Sequence, residues 1–404
     1  MHTAVREASR TTSRVGTRLF AVAGFHVCNE VREMVRTTGS GARIDDVARA
    51  AGVSMKTVSR VFNQEPNVRP ETRAKVEAAA KELNFRPNPS ARSLAGRRSY
   101  LISTLYDNPS SSYVMQVVSG VLDACEAAHY SMMMRPVDYT SRDHVDVIMD
   151  SVAQYAPDGL VLTPPLTDDE ALLEKLQAMG VRYASISPRE QNARIGARLD
   201  ERRAVREMMA HIVGLGHRRI GHIKGHRDHG ATEWRLQGYR EGLADAGIAY
   251  DKALVVPGDF VFESGTAGAE ALLSLPEPPT AIFAANDDTA AGVLHTAARR
   301  GVRVPQDLSV FGFDDLPMAR QLWPSLTTVR QASRDMGRIA TEQLLSSIRT
   351  PGAGGVVQVP YELVFRESTG PAPASASSSR SASSDVAAKQ AASKQAASRS
   401  KKAR

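Results

Sequence analysis

Cysteine is scarce in this 404-residue chain: Cys28 and Cys125 are its two, and they form no CxxC pair. That scarcity excludes a disulfide framework and the common thiol-redox motifs, as expected of a protein from a reducing cytoplasm. A GxSxG nucleophile turn and a phosphate-cradling Gly-rich loop are also missing, which removes the local signatures of serine hydrolases and P-loop nucleotide enzymes. Ten histidines are present, four of them (His217, His222, His226 and His229) around one expected strand and its following loop. So loose a cluster reads as strand-end and surface histidines, and no metal or other cofactor is expected. One apolar run, LFAVAGFHVC, stands near the N-terminus without a convincing cleavage site, so neither export nor a membrane role is expected.

Positive charge is plentiful but unevenly placed. The chain carries +7 overall, yet residues 42–100 hold 12 Lys and Arg against 6 Asp and Glu. The first 41 residues add +3 and residues 371–404 add +6, which leaves −8 for residues 101–370. A basic head and basic ends on an acidic body suit a polyanionic partner met by the head alone.

Within that head, ARIDDVARAAGVSMKTVSRVFN (residues 42–63) is the most informative stretch. Ile44, Val47 and Ala48 fall on one face of a first helix, and Val53, Val58 and Val61 continue it through a second. Gly52 provides the turn between them, where a residue without Cβ can adopt a left-handed backbone. Ser54 is placed to cap the second helix. That helix would show solvent Met55, Lys56, Thr57, Ser59, Arg60 and Asn63. Arg60 and Lys56 are the candidate base readers, because Arg can take guanine O6 and N7 together, with Met55 beside them as an apolar contact. Thr57, Ser59 and Asn63 carry short polar groups suited to phosphates, and Ser54 is counted with them among the DNA-binding residues. A third amphipathic helix follows within residues 66–85, with Val76, Ala79, Ala80 and Leu83 inward, and then a basic run with one large apolar residue, Leu94.

The order DVARAAGVSMKTVSRVFN, then TRAKVEAAAKELNFRPN, then ARSLAG resembles the LacI/GalR family of transcriptional regulators. The resemblance covers roughly residues 43–367. It implies a helix-turn-helix domain at 42–87 and a hinge helix at 88–98 that folds on DNA, with Ala91 and Leu94 at the minor groove. Two Leu94 side chains of a dimer would part a central base step, at a cost on the order of a few kcal/mol offset by contacts the bend permits. Nine residues, Asn88 to Gly96, are too few for a stable isolated helix, so folding on DNA is physically sensible.

Beyond the hinge, strand patterns alternate with helical ones. Tyr100 to Tyr106, Ser131 to Arg135, Gly159 to Thr163, Tyr183 to Ser187, Ile220 to Ile223, Ala281 to Ala284 and Leu308 to Gly312 read as strands. Tyr113 to His129 and Ala204 to Leu215 are examples of the helices between them. Such alternation implies parallel sheets covered on both faces. The expected fold is therefore an all-α helix-turn-helix head plus an α/β body (99–367). By resemblance that body is periplasmic-binding-protein-like (type I), with two doubly wound subdomains, and the chain crosses between them near Arg198, Leu326 and Pro351.

In parallel sheets a ligand lies beyond the carboxyl ends of the strands. Residues there include Asp107 and Ser112 after the first body strand, Ser187, Asn286 and Asp314, with Arg235 opening a helix and Phe260 after a short strand. Arg, Asn and Asp offer planar donors and acceptors for sugar hydroxyls, and Phe a face for the ring. The resemblance places Arg235 (RLxGY), Asn286 (AANDD) and Asp314 (GFDD) at effector positions and Phe260 less firmly. Ser187 departs from it, standing where many relatives have an acid. YDNPSSSYV, longer and richer in serine than the commoner wording, either lines the cleft or serves the dimer.

The ends differ in kind. Residues 368–404, rich in Ala, Ser, Lys and Arg, bury too little apolar surface to order, and disorder is expected there and at 1–41. Translation is expected to start at Met34, just before the helix-turn-helix. The whole reads as a cytoplasmic, nucleoid-associated homodimeric regulator. It is expected to be a repressor of carbohydrate-use genes that reads a near-palindromic double-stranded operator and is released by a small sugar effector. A purine or other corepressor would suit the same fold. A sugar-binding transport component would share the body, but it would lack the basic head and would need export.

Overall fold

The computed structural model describes residues 42–62, 67–85, 98–189 and 194–373, which divide between Arg97 and Arg98 into two units. Of the expected site residues, Asn63, Ala91 and Leu94 lie outside the described ones, as do Cys28, Met34 and nearly all of the hinge segment.

The described residues of the first unit form three helices: α1 (Ile44–Ala51), α2 (Met55–Phe62) and α3 (Pro70–Glu82). Its core is Val47, Ala48, Val58, Val61, Val76, Ala79 and Ala80, one short apolar face from each helix. Ile44, read as inward, is exposed instead, because it stands in the first turn of α1 before the other helices cover that face. Gly52 takes φ 64° to end α1 and turn the chain. At the start of α2, Ser54 Oγ accepts the Thr57 N–H at 3.2 Å, so the expected cap is present. With so small a core, polar ties matter: Arg73 on α3 donates to the Val61 carbonyl at 3.1 Å and satisfies the end of α2.

The second unit opens with β1 (Leu101–Tyr106), α4 (Ser111–Ala127), β2 (Ser131–Pro136), α5 (His144–Tyr155), β3 (Gly159–Leu162), α6 (Glu170–Ala178), β4 (Tyr183–Ile186) and β5 (Gly196–Arg198). The chain then enters α7 (Glu201–Gly214), β6 (Ile220–Ile223), α8 (Gly230–Asp245), β7 (Val255–Val256), α9 (Phe262–Leu273), β8 (Ala281–Ala284), α10 (Asp287–Arg299) and β9 (Ser309–Phe311). It closes with β10 (Thr328–Gln331), α11 (Ser333–Arg349), β11 (Val356–Gln358) and β12 (Tyr361–Val364). Two parallel sheets result, ordered β11-β5-β4-β3-β1-β2 and β7-β6-β8-β9, and β10 pairs antiparallel with β12. Every residue of β3, β6 and β8 is buried, as helices on both faces require.

Helices α4 and α11 meet with almost no side chain between them. A Cβ on Gly120 would lie 1.8 Å from the Arg334 carbonyl oxygen, and one on Gly337 would lie 2.1 Å from that of Val117. These two glycines let α11, formed after the chain has visited the second subdomain, return to the first.

Two crossings fall where expected, at Arg198 to Glu201 and at Leu326 to Thr328. The third is later than Pro351, because β11 still pairs with β5 through Gln358; the chain leaves after it to form β12. The body also outlasts its expected end at 367. Val310 N donates to the Ser368 carbonyl at 2.8 Å, and Ala372 N to that of Leu215 at 2.8 Å. Residues 368–372 are thus bonded into the second subdomain, a backbone role that their Ser/Gly/Pro composition conceals. At the other edge Arg98 donates to the Ile348 carbonyl at 3.1 Å, so it belongs with the body and not with the hinge.

Candidate functional site

In the head, burying Val58 and Val61 on one side of α2 leaves its other side to solvent. Met55, 55 % exposed, stands there with Lys56 and Arg60, also exposed. Thr57 and Ser59 are half-buried, and Thr57 Oγ1 shares a 2.9 Å hydrogen bond with Ser54 Oγ. Ser54 and Thr57 therefore serve the local cap, and the longer groups extend furthest from the helix. An exposed helix with Arg, Lys and Met in its first two turns has the size and chemistry to read a major groove.

In the body, the carboxyl ends of both sheets border one cavity that encloses about 380 Å³, including the part open to solvent. Arg235 is its centre. On the second turn of α8 and 4 % exposed, it donates through Nε to Glu201 at 2.7 Å and through a terminal nitrogen to the Ala285 carbonyl. Its other terminal nitrogen lies 3.8 Å from the Asp314 carboxylate. The guanidinium stands 3.7 Å over the Phe313 ring and 5.6 Å from that of Phe260.

The remaining groups are held as firmly. Asn286 caps α10 by accepting the Thr289 N–H at 2.9 Å and donates to the Phe260 carbonyl at 3.0 Å. Phe260 has φ 61°, and its ring fits because residue 225 is glycine: a Cβ there would lie 2.0 Å from Phe260 Cζ. Gln331 donates to Asp314 at 2.6 Å. Burial pushes the Asp314 carboxyl up to about 7, against the pull of Arg235, and burial pushes the His229 imidazole down to about 3. The cavity thus holds an ion pair, a carboxyl that titrates near neutrality and an uncharged imidazole, all out of bulk water.

Five expected residues line this cavity: Ser187, Arg235, Phe260, Asn286 and Asp314. Asp107 and Ser112 do not. Asp107 accepts the Tyr139 N–H at 2.9 Å and so fixes the loop after β2, and Ser112 sits exposed on the first turn of α4. Their neighbours Asn108, Ser110 and Tyr113 line it instead, so part of the serine-rich segment lines the cleft. Ser110 also reaches the other subdomain, donating to Asp288 at 2.6 Å. Glu201, His229 and Gln331 line the cavity and were missed. Glu201 lies 34 residues before its Arg235 partner, and nothing local announces the pair.

Two acids beside the cleft do structural work. Asp287 accepts from Thr328 Oγ1 at 2.6 Å and from the Leu316 N–H at 2.8 Å, and its burial raises its pKa. Asp315 is clamped by Arg330 and Arg366. The histidines have separate settings: His217 bonds Thr280 and Gly370, His222 bonds the Phe283 carbonyl and stacks on its ring, and His226 meets His229 edge to face at 5.4 Å. Among the described residues no three His, Cys, Asp or Glu side chains group to hold a metal ion, and no helix is long and apolar enough to cross a membrane.

Residues 43–88 match the family model of lacI-type bacterial regulatory proteins, and residues 209–369 match a periplasmic binding protein-like domain. The catabolite control protein A of Priestia megaterium is 31 % identical over 330 residues, which cover 81 % of this chain and 98 % of that protein. The chain belongs to the LacI family. Its fold is that of a lac repressor dimer bound to operator and the anti-inducer ONPF, at a TM-score of 0.67 and 28 % identity over 82 % of this chain and all of the other. A complex of the transcriptional regulator CelR with cellobiose matches at 0.62 and 31 % identity, covering 81 % and 99 %. As a LacI-family protein it is a DNA-binding transcriptional regulator, with a helix-turn-helix head and a type I periplasmic-binding-like body.

Proposed function

We propose that the protein is a cytoplasmic homodimeric repressor of carbohydrate-use genes that leaves a near-palindromic operator when a small neutral sugar enters the body's cleft. The observation that carries the effector reading is the composition of that cleft. Arg235, Asn286 and Asp314 present planar donors and acceptors at one buried centre beside the Phe260 ring. Hydroxyls require such directional partners, and an aromatic face covers the apolar side of a sugar ring. The cellobiose complex of CelR supports the same class of ligand.

On this reading Met55, Lys56 and Arg60 touch base edges; Ser54, Thr57, Ser59 and Asn63 touch phosphates; and Ala91 and Leu94 act in a hinge at 88–97. The flanking residues 1–41 and 373–404 lie outside both functional units. Effector binding changes the angle between the two subdomains and with it the spacing of the paired hinges.

Thermal unfolding against a panel of sugars and purines tests the effector, since a ligand at 100 times its Kd adds about 2.7 kcal/mol. A single sugar is expected to shift the transition and to release the operator in fluorescence anisotropy. A purine that shifts it and tightens operator binding would replace the inducer by a corepressor.

A further inference from the structure

A second cavity lies behind Glu201, outside the sugar cleft. It encloses about 670 Å³, including its open mouth, and is bordered by Arg198 and Gln358 at the crossing strands, Arg189 after β4, Arg202 on α7 and Trp234 on α8. Three arginines thus border one space, Arg189 and Arg202 exposed and Arg198 half-buried. Among the described residues, no hydrogen bond or ion pair occupies the side chains of Arg189 or Arg198. Arg202 lies 3.5 Å from Glu241, in a half-exposed pair that holds it weakly.

The acids on this wall offset that charge only in part, because Glu201 is committed elsewhere and Asp200 alone is left against three arginines. Glu201 is already paired with Arg235 at 2.7 Å, and Asp200 accepts the Arg203 N–H at 3.0 Å as the cap of α7. Arginine forks match phosphate oxygens two at a time, and an indole offers a flat face to a sugar or base attached to the phosphate.

We propose that this cavity is a second, separate binding site for a small phosphate monoester. Its ligand would touch both subdomains, through Arg189, Arg198 and Gln358 on one and Arg202 and Trp234 on the other, so it would bias the cleft angle even with no sugar bound. Because Glu201 borders both cavities, occupancy of one site changes affinity at the other.

The chain has two tryptophans, Trp234 and Trp323, so the full-length Trp323→Phe variant carries its indole emission at this cavity alone. It is titrated, without DNA or sugar, with ribose 5-phosphate, adenosine monophosphate and inorganic phosphate, against sodium chloride at matched ionic strength. Expected is a saturable change in Trp234 emission with one of the two esters, at least about tenfold tighter than with inorganic phosphate. The ester that binds tells a sugar phosphate from a nucleotide. Arg198→Gln should weaken that binding about tenfold or more, with Arg202→Gln repeating the test should Arg198→Gln fail to fold. The proposal is overturned by no saturable change up to about 10 mM ester, by inorganic phosphate binding as tightly, or by a Kd unaltered in the Arg variants, which would put the ester elsewhere. Neither operator release nor sugar binding enters this measurement, so its outcome is independent of the function proposed above.

Discussion

Met55, Lys56 and Arg60 stand exposed on one helix of the head, whereas Arg235, Asn286, Asp314 and Ser187 in the body are buried and held by other parts of the body. The first surface is open to solvent, where a polyanionic partner can reach it. The second is already satisfied: Arg235 by Glu201, Asn286 by a helix end and the Phe260 carbonyl, Asp314 by Gln331. A ligand there must replace bonds the protein makes to itself. Substitutions on the head should therefore act singly and on binding, and those in the cleft should act together and on folding as well.

The largest expected effect breaks the central ion pair. Arg235→Ala leaves the Glu201 carboxylate buried without its partner and should cost about 3 to 5 kcal/mol in urea unfolding, along with the sugar response. Adding Glu201→Leu should restore much of that stability without restoring the response. Equal loss in the single and double variants would show that the pair does not act as a unit.

Asp314 distinguishes the two regions by pH. Its folded pKa of about 7 lies above the ordinary 3.8, so between about 4 and 7 the native state holds a proton that the unfolded chain has released. Stability from this group falls as pH rises through that window and is flat above it. Asp314→Asn should remove the fall, so the stability of wild type relative to the variant declines from pH 4 to 7, by on the order of a few kcal/mol at most. A difference independent of pH would place the carboxyl in water.

On the head the effects are smaller. Arg60→Ala should cost about 1 to 3 kcal/mol on the operator and relax sequence preference, with less loss on random DNA, in anisotropy titrations. Uniform loss on both would make Arg60 a phosphate contact. Ser54→Ala removes the cap of α2 and should lower the head's stability by about 1 kcal/mol, read by helix-signal melting, while the body's transition stays in place.

Legibility follows the same division. In the head, Val47, Val58, Val61, Gly52 and Ser54 act over three or four residues, and periodicity with local capping chemistry reveals them. In the body, the seven strands read from sequence were right to within a residue or two because apolar runs between helical patterns are local too, whereas β5, β10, β11 and β12, short and with little apolar run of their own, were not read. Asn286, Asp314 and Arg235 carried local motifs, so their place at strand and helix ends was readable. Glu201, His229 and Gln331 were not, because each owes its place in the cleft to groups distant in sequence. Nor was the exclusion of Asp107 and Ser112: which of 107 to 113 faces inward depends on the start of α4 at Ser111, set by the Ser110 cap.

By itself, then, the sequence determined the helix-turn-helix, the alternating α/β body, the separation of basic head from acidic body and the family, all of them matters of short-range pattern and total charge. Tertiary structure alone decided that Arg235 is neutralised by Glu201, that burial raises the pKa of Asp314, that residues 368–372 complete the second subdomain and that three arginines border one cavity behind the cleft. Each of these depends on the burial, hydrogen bonding and charge of groups brought together from parts of the chain distant in sequence, which short-range pattern does not encode.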